Sequence, residues 1–341
     1  MHKAVIRAHS SSDPPSSGLR AESASFRVDP DRPGPAHLVT LRDGPRAENR
    51  VAPAEATNDD WAMTRQVRLE EVLLGVEGGA LLRRVIDGDD DFVAERVAAI
   101  RRLAGRLDGD RSKAVAVPEL DVEEGYAAWA HIYDQLPNAL IRAEEPLADE
   151  ALADIRAGRA LDAACGTGRH AARLVASGHR TVGVDRSAAM LAIARRKVPQ
   201  ADFRIGDLTR LPLEDGSVDV AVCALALTHL PDPEPAIAEL ARVVRPDGTI
   251  VLSDAHPAFV QLQGQALFPR ADGFAFVRNY PHLHSRYLDA FARLGLAVRK
   301  CAESPMDDDF SKGLLAGAAA AARALWAGIP VVLVWSVQRR S

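Results

Sequence analysis

Cysteine is scarce in this chain: 3 of 341 residues, at Cys165, Cys223 and Cys301. They stand far apart and share no metal-ligand spacing, so neither a disulfide framework nor a metal centre is expected. An odd number without a framework fits a reducing, cytoplasmic setting. No apolar run is long enough to cross a bilayer, and Lys3 and Arg7 are followed by no apolar stretch, which argues against a secretory signal. Charge of one sign is missing too. The 42 Lys and Arg against 47 Asp and Glu leave −5, with both signs interspersed, and this gives no electrostatic reason for a nucleic-acid or anionic-membrane partner. There is no internal repeat. What is present is a 47% apolar share, ordinary for a soluble protein with a full core, and length enough for one large domain plus an extension.

Residues 1–60 are rich in Ser, Pro, Asp and Arg. They hold too few apolar groups to offset the entropy of ordering, so the segment is read as mostly flexible, with a short strand near 36–41. From 61 the pattern turns helical. Val93, Val97, Ile100, Leu103 and Leu107 recur at helical spacing behind a start signal at Asp89–Asp91, while Gly75, Gly78 and Gly79 are expected to break the preceding stretch into two shorter helices. Residues 61–120 are thus read as a helical extension: a lid, a substrate cap or a dimerisation surface, with a homodimer as the candidate assembly.

From 121 onward the chain reads as one α/β domain running to 341. Tyr126, Trp129 and Tyr133 lie three and four apart and are expected to share a helix face, chiefly for packing. A helix follows at roughly 144–157. Strands are expected at 160–164, 180–185, 202–206, 218–224 and 249–254, and helices at 169–177, 187–197 and 234–244, with Ser187 as an N-cap. After a less regular stretch come a helix at 285–294 capped by Ser285, a strand at 296–302, an alanine-rich helix at 312–327 and a last strand at 330–337. Such alternation predicts a doubly wound parallel sheet with helices on both faces.

The richest stretch is LDAACGTGRH, Leu161–His170. A buried strand runs into a glycine turn and then a helix. Ligands of open parallel sheets sit at such carboxyl ends. Gly166 and Gly168 allow close backbone approach, and the helix from Arg169 points its N–H groups at a ligand. Asp185 ends the next strand and has two oxygens for two ribose hydroxyls; Asp207 follows a third strand and suits an adenine amine. Gly166, Gly168 and Ala171 also satisfy the G-x-G-x-x-A pattern of dinucleotide sites. Asp162, just before the turn, argues against that reading, because it would repel a pyrophosphate yet suit an ammonium group, as in S-adenosylmethionine.

These motifs, with VGVD at 182–185, GDLTRLPLEDGSVD at 206–219 and ELARVVRPDGTIVLSD at 239–254, resemble those of class I S-adenosylmethionine-dependent methyltransferases. The similarity is to the small-molecule branch that includes ubiquinone and menaquinone biosynthesis enzymes. It implies a Rossmann-like, doubly wound, mostly parallel seven-stranded sheet with an antiparallel last strand. It further implies S-adenosylmethionine as cofactor and S-adenosylhomocysteine as product. Asp162, Ala163, Gly166 and Gly168 then flank the methionine moiety, and Asp185 and Arg186 meet the ribose. Met190 packs on adenine, Gly206, Asp207 and Leu208 meet its edge, and Leu225 lies near the reactive methyl. Tyr126 and Tyr133 fall on the helix that closes over the cofactor. The alanine-rich helix before the last strand departs from the family's near-continuous hairpin.

The implied reaction is an in-line displacement onto a hydroxyl, amine or activated carbon of a small metabolite, with secondary metabolism as a candidate setting. His229 and His256 follow the fourth and fifth strands of the sheet and are the candidate bases. His282 and His284 read more simply as loop residues, and the acids at 307–309 as a solvated loop. Cys223-Ala224-Leu225-Ala226 stands where enzymes acting on base amines resemble one another in an Asp/Asn-Pro-Pro-Tyr type tetrapeptide, which disfavours a nucleic-acid substrate. The alternative is an enzyme of the same fold that binds the cofactor but catalyses a cyclisation, elimination or hydroxylation.

Overall fold

The computed structural model describes residues 65–107, 113–306 and 318–340. The flexible segment and short strand expected before residue 61, and the acids at 307–309, lie outside those residues. The described chain begins with strand β1 (Arg65–Val67), helices α1 (Leu69–Arg84) and α2 (Asp90–Leu107), and strand β2 (Val115–Val117), which pairs antiparallel with β1. Strand β3 (Glu119–Leu120), α3 (Val122–Trp129) and α4 (Ala139–Leu152) lead into β4 (Arg159–Ala163). Then come α5 (Arg169–Ala176), β5 (Arg180–Asp185), α6 (Ala188–Lys197), β6 (Asp202–Ile205) and β7 (Val218–Ala224). A 3-10 turn (Leu227–His229), α7 (Glu234–Val243) and β8 (Val244–Ala255) follow. The last part holds α8 (Pro257–Gln261), the hairpin strands β9 (Ala266–Arg270) and β10 (Gly273–Val277), α9 (His284–Arg293), β11 (Leu296–Pro305), α10 (Ala319–Trp326) and β12 (Pro330–Arg339).

Seven strands form one sheet in the order β11-β12-β8-β7-β4-β5-β6. Pairings among β6, β5, β4, β7 and β8 are parallel, and β12 runs antiparallel to both β8 and β11. The chain winds outward from β4 in both directions, so the sheet reverses its order between β4 and β7 and opens a crevice at their carboxyl ends. Alternate residues of one strand serve opposite layers. Leu161, Ala221, Cys223, Ile250 and Leu252 pack in one apolar cluster, and Ala160, Val220, Val222 and Val251 in the other. This two-sided burial is why the strands read as unbroken apolar runs.

Several expected elements shift. The stretch from 69 to 84 is one helix, not two: Glu70 and Glu71 lie in its first turn and Arg83 and Arg84 in its last, where they complement the helix dipole. A Cβ on Gly79 would come 2.7 Å from Leu325 Cδ1 of α10, so this glycine permits close helix approach and does not interrupt. α4 starts at Ala139 because the Asn138 side chain accepts from Leu140 N and Ile141 N. The expected 144–157 span therefore sits about a turn too late. Tyr133 lies beyond the end of α3, in the following turn, yet its ring still meets Tyr126 and Trp129, with centroids 6.1 and 5.0 Å away. Ser285 is inside α9, whose N-cap is Leu283.

The stretch read as irregular contains the hairpin β9–β10, which joins β3 in a second, three-stranded sheet of order β3-β10-β9. Trp129 stacks on Phe268 of β9 at 4.9 Å, with Ala275 and Val277 of β10 in the same cluster. α3 and this small sheet make a cap beside the crevice. Among the described residues, no helix is long and apolar enough to cross a membrane.

Candidate active site

The turn after β4 is built by conformations that few side chains tolerate. Ala164, Gly166 and Gly168 have φ of 55, 51 and 82°. Cys165 N donates to Val184 O of β5, and Gly168 N to Cys165 O. A Cβ on Gly166 would meet no protein atom within 4 Å, so this glycine faces the space left for a ligand. Leu225, just past β7, is likewise left-handed at φ 54°. Two non-glycine residues in this region, both at strand ends lining one cleft, fit backbone strain held at a functional site. No sequence signal marks it.

The cleft, counted with the open space at its mouth, encloses ≈ 790 Å³. Of the residues expected at the cofactor, Gly166, Asp185, Arg186, Gly206, Asp207, Leu208 and Leu225 line it, with Tyr126 and Tyr133 from the cap. Asp185 Oδ2 accepts from Gly166 N and Oδ1 from Ser187 N, each at 2.8 Å. A carboxylate oxygen can accept twice, so both keep capacity for sugar hydroxyls. Burial raises the Asp185 pKa against those N–H donors. Asp207 Oδ1 is taken by the Thr209 hydroxyl and N–H, at 2.6 and 2.8 Å. The hydroxyl above all holds its carboxyl below the ordinary value, and Oδ2 takes no part in those bonds.

Four expected residues lie beneath the lining. Asp162 is 2% exposed, and its Oδ2 accepts from Ala171 N at 2.7 Å, tying down the first turn of α5. Burial pushes its carboxyl up to about 6, against the pull of His170, Ala171 N–H and Arg169. Ala163 and Met190 are core residues, 0% and 1% exposed. Gly168 lets α5 approach α6: a Cβ there would come 3.2 Å from Ala194 Cβ. The lining also includes Val122, Ala164, Ser187, Ala224 and Ala226, small or apolar residues whose place follows from the backbone path and not from any motif.

A buried network missed in the sequence supports the turn from below. Glu144 of α4, fully buried, accepts from His170 Nε2 and Ser253 Oγ with Oε1 (3.0 and 2.9 Å) and from Arg169 Nη1 with Oε2 (2.6 Å). Burial opposes its ionisation, but His170 and Arg169 outweigh that and hold it at about 2. From the cap side, Asp134 accepts from Thr167 Oγ1 of the turn and from Lys197 Nζ, both at 2.8 Å.

The two candidate bases part company. His229 lines the cleft. Its Nδ1 lies 2.8 Å from Arg278 O, a pure acceptor, so Nδ1 carries the proton. Nε2 then presents its lone pair to Tyr126 OH at 2.7 Å. Burial lowers the His229 pKa, with the Arg278 carbonyl pulling the other way, and raises that of Tyr126. The pair is therefore neutral, with the phenol as donor. Thr228, the neighbour of His229, is fixed by its N–H to buried Asp254 Oδ1 at 3.0 Å.

His256 stands outside the cleft lining. Its Nδ1 accepts from Ala258 N at 3.1 Å as the cap of α8. The proton consequently sits on Nε2, 3.0 Å from Glu303 Oε1, which His284 Nε2 also approaches at 2.8 Å. These three side chains have the spacing of a metal cluster, but a cation at His256 Nε2 would require the other ring nitrogen to bear a proton facing the Ala258 donor. His282 is buried, with Nε2 3.1 Å from Leu227 O. Cys165 and Cys223 are buried, and burial raises both thiol pKa values.

Strand order, glycine turn and acid-bearing strand ends together define a class I, Rossmann-like methyltransferase fold. Residues 161–252 match the family described as Methyltransferase domain, and this domain belongs to the S-adenosylmethionine-dependent methyltransferases. An uncharacterised 37.1 kDa protein in transposon TN4556 of Streptomyces fradiae is 41% identical over 171 residues, covering 46% of this chain and 45% of that protein. A demethylmenaquinone methyltransferase from Renibacterium salmoninarum is 37% identical over 102 residues, 30% of this chain and 43% of its own. A malonyl-[acyl-carrier protein] O-methyltransferase from Yersinia pestis is 35% identical over 120 residues, 35% of this chain and 45% of its own. The chain thus spans under half the length of these relatives. One chain of the complex between the Haloferax volcanii Trm112 methyltransferase activator and its partner shares the fold, with a TM-score of 0.50 at 21% identity, over 65% of this chain and 98% of that one.

The family's cofactor is S-adenosylmethionine and its product S-adenosylhomocysteine. The residues present fit it. Gly166 leaves room that any side chain would fill, and Asp185 and Asp207 keep unfilled acceptor positions at the β5 and β6 ends.

Proposed function

We propose that this protein transfers a methyl group from S-adenosylmethionine to a small metabolite, with His229 drawing off the acceptor's proton. The observation that carries the reading is the fixed tautomer of His229, whose Nε2 lone pair accepts from the Tyr126 hydroxyl on the same cleft as Gly166, Asp185 and Asp207. Asp185 would hold the ribose hydroxyls, Asp207 and Leu208 the adenine edge, and the Gly166 turn the methionine end. When bound, the cofactor supplies a methyl group already activated by its positive sulfur.

The protein's own part is to place the nucleophile, exclude water and manage one proton. Tyr126 OH donates to His229 Nε2. An acceptor O–H or N–H that donates to the Tyr126 oxygen passes its proton along this bond, and His229 ends as the imidazolium with Nδ1–H still on Arg278 O. Tyr126, Tyr133 and Val122 close the cap side of the cleft.

The test is product mass. Incubation with the cofactor and a candidate acceptor should add one CH₂ and release S-adenosylhomocysteine, and the His229→Ala variant should lose turnover while still binding S-adenosylhomocysteine. An acceptor converted without the added CH₂ would reject methyl transfer, and wild-type turnover by His229→Ala would reject the base.

A further inference from the structure

The stretch NYPHLHSRY, Asn279–Tyr287, leads from the end of β10 into α9, and residues 279–283 belong to neither element. Its polar groups nonetheless converge on one place. The 3-10 turn Leu227–His229 is too short to hold its own geometry, and bonds from outside fix each of its residues. His229 Nδ1 donates to Arg278 O at 2.8 Å. Tyr280 N donates to Thr228 O at 2.6 Å. His282 Nε2 lies 3.1 Å from Leu227 O, which only accepts, so this nitrogen carries the proton and donates. Thr228 N donates to Asp254 Oδ1 at 3.0 Å, and the other oxygen of Asp254 takes the Tyr287 hydroxyl.

His282 and Tyr287 are 6% and 0% exposed, and their rings meet edge to face with centroids 6.2 Å apart. Burial lowers the His282 pKa, with the Leu227 and Leu230 carbonyls pulling the other way. An apolar side chain of similar volume would fill either position. What it lacks is the donor: an N–H for Leu227 O, and an O–H for the carboxylate that holds Thr228 N. Both donors are spent on the turn that ends in His229, one directly and one through Asp254. The chemistry of a histidine depends on which ring nitrogen is protonated and where the other points. A turn that slips away from Arg278 O frees this ring to exchange its tautomer.

Resting on the reading of His229 as the base, we propose that His282 and Tyr287 are positioning residues for the reaction. They hold the turn so that His229 keeps Nδ1 on Arg278 O and Nε2 on the Tyr126 hydroxyl at the cleft. Neither lines the cleft, so their loss should appear in turnover and not in cofactor affinity.

The test uses the full chain with isotope-labelled histidine, saturated with S-adenosylhomocysteine. Long-range proton–nitrogen correlation spectra read the tautomer of each ring, and His229→Ala identifies the His229 signals. Wild type should show one His229 form, protonated at Nδ1. His282→Leu keeps the bulk and loses the donor. It should show both forms and lose about tenfold in kcat, with KM and S-adenosylhomocysteine affinity unchanged. His282→Gln, whose amide N–H reaches where Nε2–H stood, should return the single form and bring kcat to within about twofold of wild type. Tyr287→Phe removes only the hydroxyl and should lower kcat several-fold. Unchanged kcat in His282→Leu overturns the proposal, as do mixed tautomers in wild type. His282→Gln no better than His282→Leu overturns it too, because the site then serves packing alone. If His282→Leu loses S-adenosylhomocysteine binding and so its fold, Tyr287→Phe decides the matter, with unchanged kcat against the proposal. Wild-type turnover by His229→Ala is a separate result and overturns the base reading on which this rests.

Discussion

The cofactor side of the cleft and its cap side are held by different forces. On the cofactor side, parallel strands buried on both faces fix the backbone, and the polar groups are mostly main-chain N–H donors on Asp162 and Asp185. On the cap side, α3 and the small sheet meet the main body through a few side chains: Tyr126 to His229, and Asp134 to Thr167 and Lys197. A backbone cradle is insensitive to most single substitutions around it, whereas a side-chain latch is lost with one atom. The grip on the cofactor should thus withstand substitutions around Asp162 and Asp185 but not of those two carboxylates, and the acceptor side should be readily altered.

Asp185→Ala should break the cofactor side most severely. It removes one carboxylate that orders Gly166 N and Ser187 N and is assigned to the ribose, and calorimetry should show about a 10³-fold loss of S-adenosylhomocysteine affinity, ~4 kcal/mol. His229→Ala should lower kcat by about 100-fold, with the loss in turnover and not in cofactor binding. Tyr126→Phe removes only the donor to Nε2, and turnover should fall by about tenfold. If His229→Ala and Tyr126→Phe together cost no more than His229→Ala alone, the two act as one relay; additive losses would separate them.

Acidity sharpens the contrast. Burial places the His229 pKa below its ordinary 6.5, so the ring stays neutral through that pH. The acid limb of kcat/KM should fall below pH 6.5, and a limb well above it would exclude His229. Asp254 behaves oppositely. Burial lifts it to about 7, against Tyr287 OH and the N–H groups of Thr228 and Ala255. The folded chain keeps this proton where the unfolded chain, near 3.8, has released it. The stability it contributes is full below about pH 4 and lost as pH rises through 7. Thermal melts of Asp254→Asn should show a flatter pH dependence across that window.

Smallest in effect, Gly75→Ala in α1 meets open space and should stabilise the chain by up to about 1 kcal/mol, the usual helix-interior gain. A loss would mean that α1 does not run unbroken through its glycines.

This division follows what could be read from the sequence. β5 and β7 carry the expected bounds because two-sided burial writes itself as continuous Val, Ala and Cys. Gly166 and Asp185 were legible because turn geometry and ribose chemistry restrict the residue type. The cap was not. Phe276 and Val277 have their partners at Glu119 and Leu120, some 150 positions earlier, and no local period reports a pairing so distant. Glu144 drew no reading beyond its place at the start of a helix, since nothing near it in sequence reveals Arg169, His170 and Ser253. His256 shared its position after a strand with His229, and only the Ala258 and Glu303 contacts tell the two apart.

The β9–β10 hairpin occupies a single excursion of the chain between α8 and α9, joined to the rest of the small sheet through β3. It is an exchangeable cassette. Natural or laboratory drift in its length and composition can retune which molecules are accepted, generation after generation, while the nucleoside berth inherited through β4 to β7 stays untouched.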